Sequence, residues 1–319
     1  MTNAIETVNL TRRYGKTLAL DNLNLQVARG SIYGFIGPNG AGKTTTLRLL
    51  AGLLEPTGGE IRLMGERLRA DGGAGQHLVG YMPDFFGVYD DLRVWEYLDF
   101  FARCYGLGGK QRQSTVDQLL DLVDLTAKRE AFVQSLSRGM QQRLCLAHAL
   151  VHDPPILLLD EPASGLDPRA RVELRELLRT LRDMEKTIFL SSHILSELAE
   201  ICTEIGIIDS GRMVVSGTVD AVRRQLQGGN TLRIRVLRTT EAAVALIRDL
   251  EPAANLPEIV QVRRDEADVH LLYVELRQAN EEQQAALLAH LLAQGIPVSD
   301  YHMQAEDLEH LFLRLTEVT

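Results

Sequence analysis

A glycine-rich stretch early in the chain carries the clearest chemistry of the sequence. Residues 37–44 read GPNGAGKT and match the P-loop pattern GxxxxGK[ST] at every fixed position. Glycines let backbone N–H groups face an anion without a side-chain clash, and the helix that follows points its positive end at the same place. Lys43 can reach the β- and γ-phosphates of a nucleotide, and the Thr44 hydroxyl can ligate Mg²⁺. The pattern therefore predicts a phosphate-binding loop with a magnesium ion.

Two carboxylates follow an apolar run later in the chain. Residues 156–159 are apolar, and Asp160 and Glu161 come directly after them. Open α/β sheets bind ligands at the carboxyl ends of their strands. Asp160 therefore suits Mg²⁺, directly or through water, and Glu161 suits the polarisation of an attacking water. Taken alone, the pair could equally end a strand and cap a loop, and the P-loop is what favours the catalytic interpretation.

The segments around these motifs predict an α/β domain. Apolar patterns typical of strands occur at 23–27, 31–36, 61–63, 79–82, 156–159, 187–190, 205–208 and 212–215. Helical patterns occur at 44–54, over most of 91–150, and at 169–182. Because strands and helices alternate, we expect a largely parallel sheet.

The pattern changes after residue 227. The letters QGGN at 227–230 are typical of a linker, so we expect one domain over 1–227 and a second over 231–319. Strand-like and helix-like stretches of the second segment indicate a small α+β domain, and residues 308–315 carry the apolar stripe of a last helix.

Bulk composition argues against several classes of function. The 319 residues carry a net charge of −9, and coating nucleic acid needs a basic face, so nucleic acid is not an expected partner. The scattered Cys104, Cys145 and Cys202 form no C-x-x-C pair, which argues against a metal finger or a disulfide framework. The N-terminus has no apolar signal core, and no stretch approaches the roughly 20 apolar residues of a membrane span. We therefore expect a soluble protein whose link to a membrane comes through a partner.

Three further motifs resemble those of one family. LSRGMQQR at 136–143 resembles the ABC signature, SGLD at 164–167 resembles the D-loop, and SSH at 191–193 resembles the switch-histidine loop. Their order and spacing, with the P-loop and the acidic strand end, agree over roughly residues 4–220. The sequence thus resembles an ABC transporter ATP-binding protein. The resemblance implies a RecA-like P-loop NTPase core with an antiparallel β subdomain and a helical subdomain near 85–150, and ATP and Mg²⁺ as cofactors.

The resemblance also implies a role for each matching residue. ATP would lie between the P-loop of one subunit and the signature of the other, in a head-to-tail homodimer or a dimer with a close paralogue. The expected catalytic residues are Lys43, Asp84, Glu161 and His193. The expected magnesium ligands are Thr44, Asp84 and Asp160. Tyr14 is expected to stack on adenine. The other expected nucleotide-binding residues of the same subunit are Gly37, Pro38, Asn39, Gly40, Ala41, Gly42, Lys43, Thr44 and Thr45. Ser137, Gly139 and Asp167 are expected to bind the nucleotide at the dimer interface. Ser137 is also expected to cap the helix that follows it.

The sequence departs from the family pattern at two places. The signature has Arg138 and Met140 where Gly and Gln are common, although Ser137 and Gly139 are kept. Asp84 stands where the family usually has a Gln whose carbonyl meets Mg²⁺ and the water. Asp is still a hard oxygen ligand, but its charge beside the phosphates predicts weaker ATP binding or a higher Mg²⁺ requirement. We expect hydrolysis to remain.

The resemblance finally implies an exporter subunit at the inner face of the cell membrane, in the cytoplasm, bound to a membrane-spanning permease. Phe85 and Phe86 are expected to contact a helix of that permease, since aromatic residues anchor interfaces. The tail at 306–316 resembles the accessory domain of exporter ATPases of the antibiotic-resistance type, and dimer support, shielding of the nucleotide site and regulation are all open roles for it.

The alternative is a non-transport ABC ATPase of the ribosome-associated or DNA-repair kind. Those proteins need paired nucleotide domains or a long coiled-coil insert, which this sequence lacks.

Overall fold

The chain divides into two units, Met1–Val219 and Asp220–Thr319. The computed structural model describes residues 3–68, 75–84, 91–194, 198, 200–226, 230–238, 240–250, 256–265, 267–277 and 279–304. The first unit ends ahead of the linker predicted at 227–230, where a helix begins at Val219 directly after a strand that ends at Thr218. No helix of the described residues is both long and apolar enough to cross a membrane.

The strands of the first unit are β1 (Asn3–Tyr14), β2 (Thr17–Ala28), β3 (Ile32–Ile36), β4 (Gly58–Leu63), β5 (Glu66–Arg67), β6 (Val79–Met82), β7 (Ile156–Leu159), β8 (Thr187–Ser192), β9 (Glu204–Asp209) and β10 (Arg212–Thr218). Its helices are α1 (Lys43–Leu50), α2 (Val94–Cys104), α3 (Gly109–Leu122), α4 (Arg138–Ala149) and α5 (Pro168–Asp183), and α6 (Val219–Leu226) follows them.

A six-stranded sheet carries the site, in the order β10-β9-β3-β8-β7-β6. The neighbours β9, β3, β8, β7 and β6 pair in parallel, and only β10 is antiparallel. The three central strands β3, β8 and β7 are buried along their whole length, which explains their continuous apolar runs. Parallel strands bring their carboxyl ends to one edge, so the loops after β3, β7 and β8 meet there. The expected α/β core with a largely parallel sheet is confirmed.

A separate antiparallel sheet has the order β2-β1-β4-β5. Its inner face packs Ile5, Leu10, Leu23 and Leu25 into the same hydrophobic core as Tyr33 and Leu47. The long strand β1 was not predicted. Register shifts interrupt its pairing with β2 at several places, and such bulges break the alternation by which a strand is recognised in a sequence.

Helices α2, α3 and α4 pack together beside the edge strand β6. A Cβ atom on Gly80 would lie 2.1 Å from the carbonyl oxygen of Ala149, so backbone touches backbone where α4 ends. His148, one residue earlier, stacks on Phe101 of α2 with ring centroids 3.7 Å apart. Burial, with a smaller contribution from the nearby His152, lowers the pKa of His148 to about 4.

From Asn230 on, the described residues of the second unit have the chain order βαββαβ. Its elements are β11 (Asn230–Val236), α7 (Thr240–Arg248), β12 (Ile259–Arg264), β13 (Leu271–Leu276), α8 (Glu281–Ala293) and β14 (Val298–Gln304). The sheet order β12-β13-β11-β14, antiparallel throughout, is that of a ferredoxin-like fold. Leu232, Ile234, Val274 and Leu287 lie in its core. Strand β14 was not predicted, and the last helix expected at 308–315 lies outside the described residues.

Candidate active site

The P-loop forms the turn between β3 and α1. Gly40 and Gly42 have φ angles of +86° and +110°, in the left-handed region that favours glycine. A Cβ atom on Gly37 would lie 2.4 Å from the carbonyl oxygen of Ile208, so only glycine fits there. Gly42 is the N-cap of α1 and has no side chain to accept the first N–H groups of that helix. Those groups are therefore available to an anion.

Backbone hydrogen bonds fix this loop to its neighbours. The amide of Gly37 donates to the carbonyl of Ser192 at the end of β8 (3.3 Å). The amide of Gly211, in the turn between β9 and β10, donates to the carbonyl of Ala41 (3.0 Å). Asn39 and Gly40 are exposed, whereas Thr44 and Thr45 are half-buried in the first turn of α1. The loop is thus a fixed concave cradle with an accessible rim.

Lys43 is held inside this cradle. Its side chain is 6% exposed, and Nζ donates to the carbonyls of Gly37 (2.7 Å) and Pro38 (3.2 Å). The same nitrogen lies 3.4 Å from Oε1 of Glu161. The P-loop and the acidic strand end therefore meet, as their strand positions predicted.

Glu161 connects the lysine to the switch histidine. Its Oε2 lies 2.9 Å from Nδ1 of His193. Glu161 has φ +48°, a left-handed conformation that costs a non-glycine residue about 1–3 kcal/mol and that marks functional sites. The sharp turn after β7 thus places the Glu161 carboxylate between Lys43 and His193.

Ser191 holds both carboxylate residues in place. Its hydroxyl donates to Oδ1 of Asp160 (2.7 Å) and accepts the amide hydrogen of Glu161 (2.9 Å). Asp160 is 1% exposed, and a buried carboxylate needs such partners. Sequence reasoning gave Ser191 no role, although a hydroxyl residue directly after the apolar run 188–190 was a signal that it could bond to a neighbouring strand.

Asp84 is exposed just beyond the end of β6. Partial desolvation raises its pKa most, the charges of Asp160 and Glu161 raise it further, and the charges of Arg138 and His193 lower it. The charges of the two other carboxylates therefore act on Asp84, and its catalytic role stays a prediction. Phe85 and Phe86, the next two residues, lie outside the described residues.

The signature and the D-loop form a second group. Ser137 is the N-cap of α4, as predicted, and its Oγ accepts the amide hydrogen of Met140 (3.4 Å). Asp167 is the N-cap of α5 and accepts the amide hydrogen of Ala170 (2.9 Å). A Cβ atom on Gly139 would lie 3.0 Å from Cβ of Ala170, so the first turns of the two helices touch.

Tyr14 ends β1 and is 42% exposed, with the Arg12 guanidinium 4.6 Å from its ring centroid. An exposed aromatic ring can stack on a nucleobase, because every base has a π face. The ring therefore suits the role that its position in the sequence implies.

The donors present suit magnesium bound with a nucleotide. Among the described residues, no group of three or more His, Cys, Asp or Glu residues is placed to hold a metal. Mg²⁺ in phosphate-binding enzymes takes one or two carboxylates and relies on phosphate and water for the rest. The hydroxyl of Thr44 and the carboxylate of Asp160 are oxygen donors of that kind.

Comparisons with known proteins agree on one family. The family model described as ABC transporter matches residues 20–164. Nod factor export ATP-binding protein I of Paraburkholderia xenovorans (strain LB400) is 39% identical over 256 residues, which are 80% of this chain and 83% of that protein. The bacitracin transport ATP-binding protein BcrA of Bacillus licheniformis is 38% identical over 226 residues, 70% of this chain and 73% of that protein. The dimeric structure of a bacterial ABC transporter cassette has a TM-score of 0.61 and 25% identity, and the match covers 67% of this chain and 98% of that chain.

Proposed function

This chain belongs to the ABC transporter ATP-binding proteins, and from that premise we propose which of its residues bind and cleave ATP. The protein is an ATP-hydrolysing subunit of an exporter-type ABC transporter. Residues 37–45 bind the phosphates through their backbone N–H groups and Lys43, and Tyr14 stacks on the adenine. Residues 1–227 form the ATP-binding domain in this proposal, and residues 231–319 form an accessory domain.

Glu161 is the residue that activates water. The observation that carries this assignment is the contact of its carboxylate with both Lys43 (3.4 Å) and His193 (2.9 Å). An ionised carboxylate only accepts hydrogen bonds, so the hydrogen of the Glu161–His193 contact sits on Nδ1 of His193. Lys43 and His193 thereby fix one carboxylate, which polarises the water that attacks the γ-phosphate.

Thr44 and Asp160 hold the magnesium ion, and Asp84 completes the oxygen donors on the side of the attacking water. When bound, the ion would neutralise charge on the phosphates of ATP. Ser191 positions Asp160 for this role, because its hydroxyl fixes one carboxylate oxygen (2.7 Å) and leaves the other available.

ATP joins two subunits head to tail. The first turns of α4 and α5 present Ser137, Gly139 and Asp167 as one surface. The N-terminal end of α4 carries a partial positive charge that suits the γ-phosphate of ATP held by the other subunit. Loss of the γ-phosphate removes this contact, so hydrolysis works as a two-state switch. A membrane-spanning permease at the inner face of the membrane is the partner that this switch drives.

The test is the oligomeric state of a hydrolysis-deficient variant. Glu161→Gln keeps the side-chain volume and removes the charge, so the purified full chain with ATP and Mg²⁺ should elute as a dimer in size-exclusion chromatography. The wild-type chain should return to monomer as ATP is consumed. Glu176→Gln, at an exposed position of α5, is the matched control and should behave as wild type. A Glu161→Gln chain that binds ATP and stays monomeric would overturn the proposal.

A further inference from the structure

The aromatic ring proposed to stack on adenine, Tyr14, has an arginine packed on it. Arg12, two residues earlier in β1, is half-buried. Its Cζ atom lies over the Tyr14 ring, 4.6 Å from the ring centroid. A guanidinium within about 6 Å of the centroid is attracted by the negative face of the ring. Arg12 therefore covers one face of Tyr14, so a base would stack on the opposite face.

The guanidinium of Arg12 is itself anchored. Its Nη1 donates to the backbone carbonyl of Glu55 (2.6 Å). Its Nε is buried and has no hydrogen-bond partner among the residues that the structure describes. A guanidinium over an aromatic ring can direct such an N–H group at the ring face, which is a weak acceptor. Arg12 thus joins the Glu55 carbonyl to the Tyr14 ring.

The Glu55 carbonyl belongs to the segment that follows the P-loop helix α1. Thr57, in the same segment, also fixes it to β1, because its amide and its hydroxyl both donate to the carbonyl of Thr11 (2.9 Å and 3.0 Å). The phosphate cradle follows β3 of the six-stranded sheet, whereas Tyr14 ends β1 of the antiparallel sheet. One nucleotide must reach both, so the ring has to be held in place relative to the cradle. Arg12 links the ring to the segment that leaves the cradle's own helix.

We propose that Arg12 is a positioning residue that holds the Tyr14 ring ready to stack on the base of the nucleotide. The inference rests on the proposed role of Tyr14. A ring that is fixed before binding loses less side-chain freedom when a base stacks on it, and this raises the affinity. Arg12 acts through Tyr14 alone, so its effect on binding requires both the ring and a base.

The test is a double-mutant cycle on the purified full chain, with the Kd measured by titration calorimetry in the presence of Mg²⁺. Two probes are compared: ADP, and inorganic pyrophosphate, which carries two phosphates without a base. Arg12→Met keeps an unbranched side chain and removes the guanidinium, and Tyr14→Leu removes the ring. We expect Arg12→Met to raise the Kd for ADP about twofold to fivefold, the range of one cation–π contact at an exposed site. In the Tyr14→Leu background the same substitution should leave the Kd for ADP unchanged, because no ring is left to position.

Arg13→Met is the matched control. Arg13 is the exposed neighbour of Arg12 in the same strand, and its loss should leave the Kd for both probes unchanged. The Kd for pyrophosphate serves as a second control, because it reports whether the phosphate cradle is intact in each variant. It should be the same for Arg12→Met as for the wild-type chain.

Three results would overturn the inference: an unchanged Kd for ADP in Arg12→Met, an equal rise for ADP and pyrophosphate, or an equal effect with and without the ring. An equal rise for both probes would assign Arg12 to the shape of the segment after α1. If Tyr14→Leu binds ADP as tightly as the wild-type chain, the proposed stacking of Tyr14 fails and the inference fails with it. If Tyr14→Leu weakens ADP binding and Arg12→Met does not, only the inference fails.

Discussion

Nδ1 of His193 and Oε2 of Glu161 lie 2.9 Å apart across the ends of two neighbouring parallel strands. His193 is 47% exposed, whereas Glu161 is 14% exposed. The histidine is the more exposed partner, so in its proposed role it would act from the solvent side and fix the carboxylate without enclosing it. Catalysis should therefore depend on the histidine more than nucleotide binding does.

Replacement of His193 by Ala should lower kcat for ATP hydrolysis about 100-fold, at the lower end of the effect of a positioned acid–base group. The Kd for ATP should change less than about threefold, because the phosphates bind mainly to the P-loop. Steady-state phosphate release and equilibrium binding give the two numbers. His302→Ala, an exposed histidine of the second unit, serves as the control. A raised KM with an unchanged kcat would contradict this role.

Replacement of Lys43 by Ala should raise the Kd for ATP about 10-fold to 100-fold, because a hydrogen bond to a charged group contributes about 1.5–3 kcal/mol. Fluorescence titration with a nucleotide analogue measures the change. Lys110→Ala, at an exposed position at the start of α3, is the control and should bind as wild type. Wild-type affinity of the Lys43 variant would show that the lysine holds only its own loop.

Replacement of Ser191 by Ala should lower the free energy of unfolding by about 1–3 kcal/mol, since a buried carboxylate oxygen and the Glu161 amide both lose their partner. It should also raise the Mg²⁺ concentration needed for half-maximal hydrolysis, because Asp160 is then less well positioned. Urea unfolding and a magnesium titration test the two effects. Ser210→Ala, in the exposed turn between β9 and β10, is the matched control. Loss of stability without a change in the magnesium requirement would separate Asp160 from the metal.

His148 should make the fold less stable in acid. Its pKa is about 4 in the folded chain against 6.5 in an unfolded one, chiefly because it is buried. As the pH falls from 6.5 to 4, the unfolded chain therefore binds a proton that the folded chain does not, and stability decreases. The loss from this group is about 3 kcal/mol, because one pKa unit corresponds to about 1.4 kcal/mol.

The substitution His148→Phe keeps an aromatic ring against Phe101 and removes the titration. Urea unfolding at pH 4.5, 7 and 8 should show a smaller acid-induced loss for the variant than for the wild-type chain. At pH 8 both side chains are uncharged, so any difference there measures packing alone. Equal slopes between pH 4.5 and 7 would contradict the prediction.

Local sequence patterns predicted those parts of the site that consist of a single strand and the loop after it. The P-loop, the Asp160–Glu161 pair and His193 each follow a short apolar strand, and parallel pairing brings those strand ends together. The strand–loop pattern therefore implied their meeting. The structure has the parallel sheet, and the loops after these strands meet at one edge of it.

Contacts between distant segments could not be predicted from local patterns. Ser191 and Asp160 are joined only by the pairing of β7 with β8, and Arg138 meets Gly165 only because α4 and α5 touch at their first turns. Strand β14 was missed because Asp300 and His302 dilute its apolar signal, although Tyr301 and Met303 pack on the core of the second unit.

The contact between Gly80 and the last turn of α4 has a mechanical consequence. Strand β6 lies at the edge of its sheet, where β7 is its one bonded neighbour among the described strands, so it can be displaced at lower cost than the central strands. Helix α4 spans 12 residues, about 18 Å at 1.5 Å per residue, from Ala149 back to the turn that Ser137 caps. Because backbone meets backbone at Gly80, a displacement of the edge strand would have to move the last turn of α4 with it. In the proposed dimer, strand β6 and the turn that Ser137 caps would therefore move as the two ends of one rigid unit.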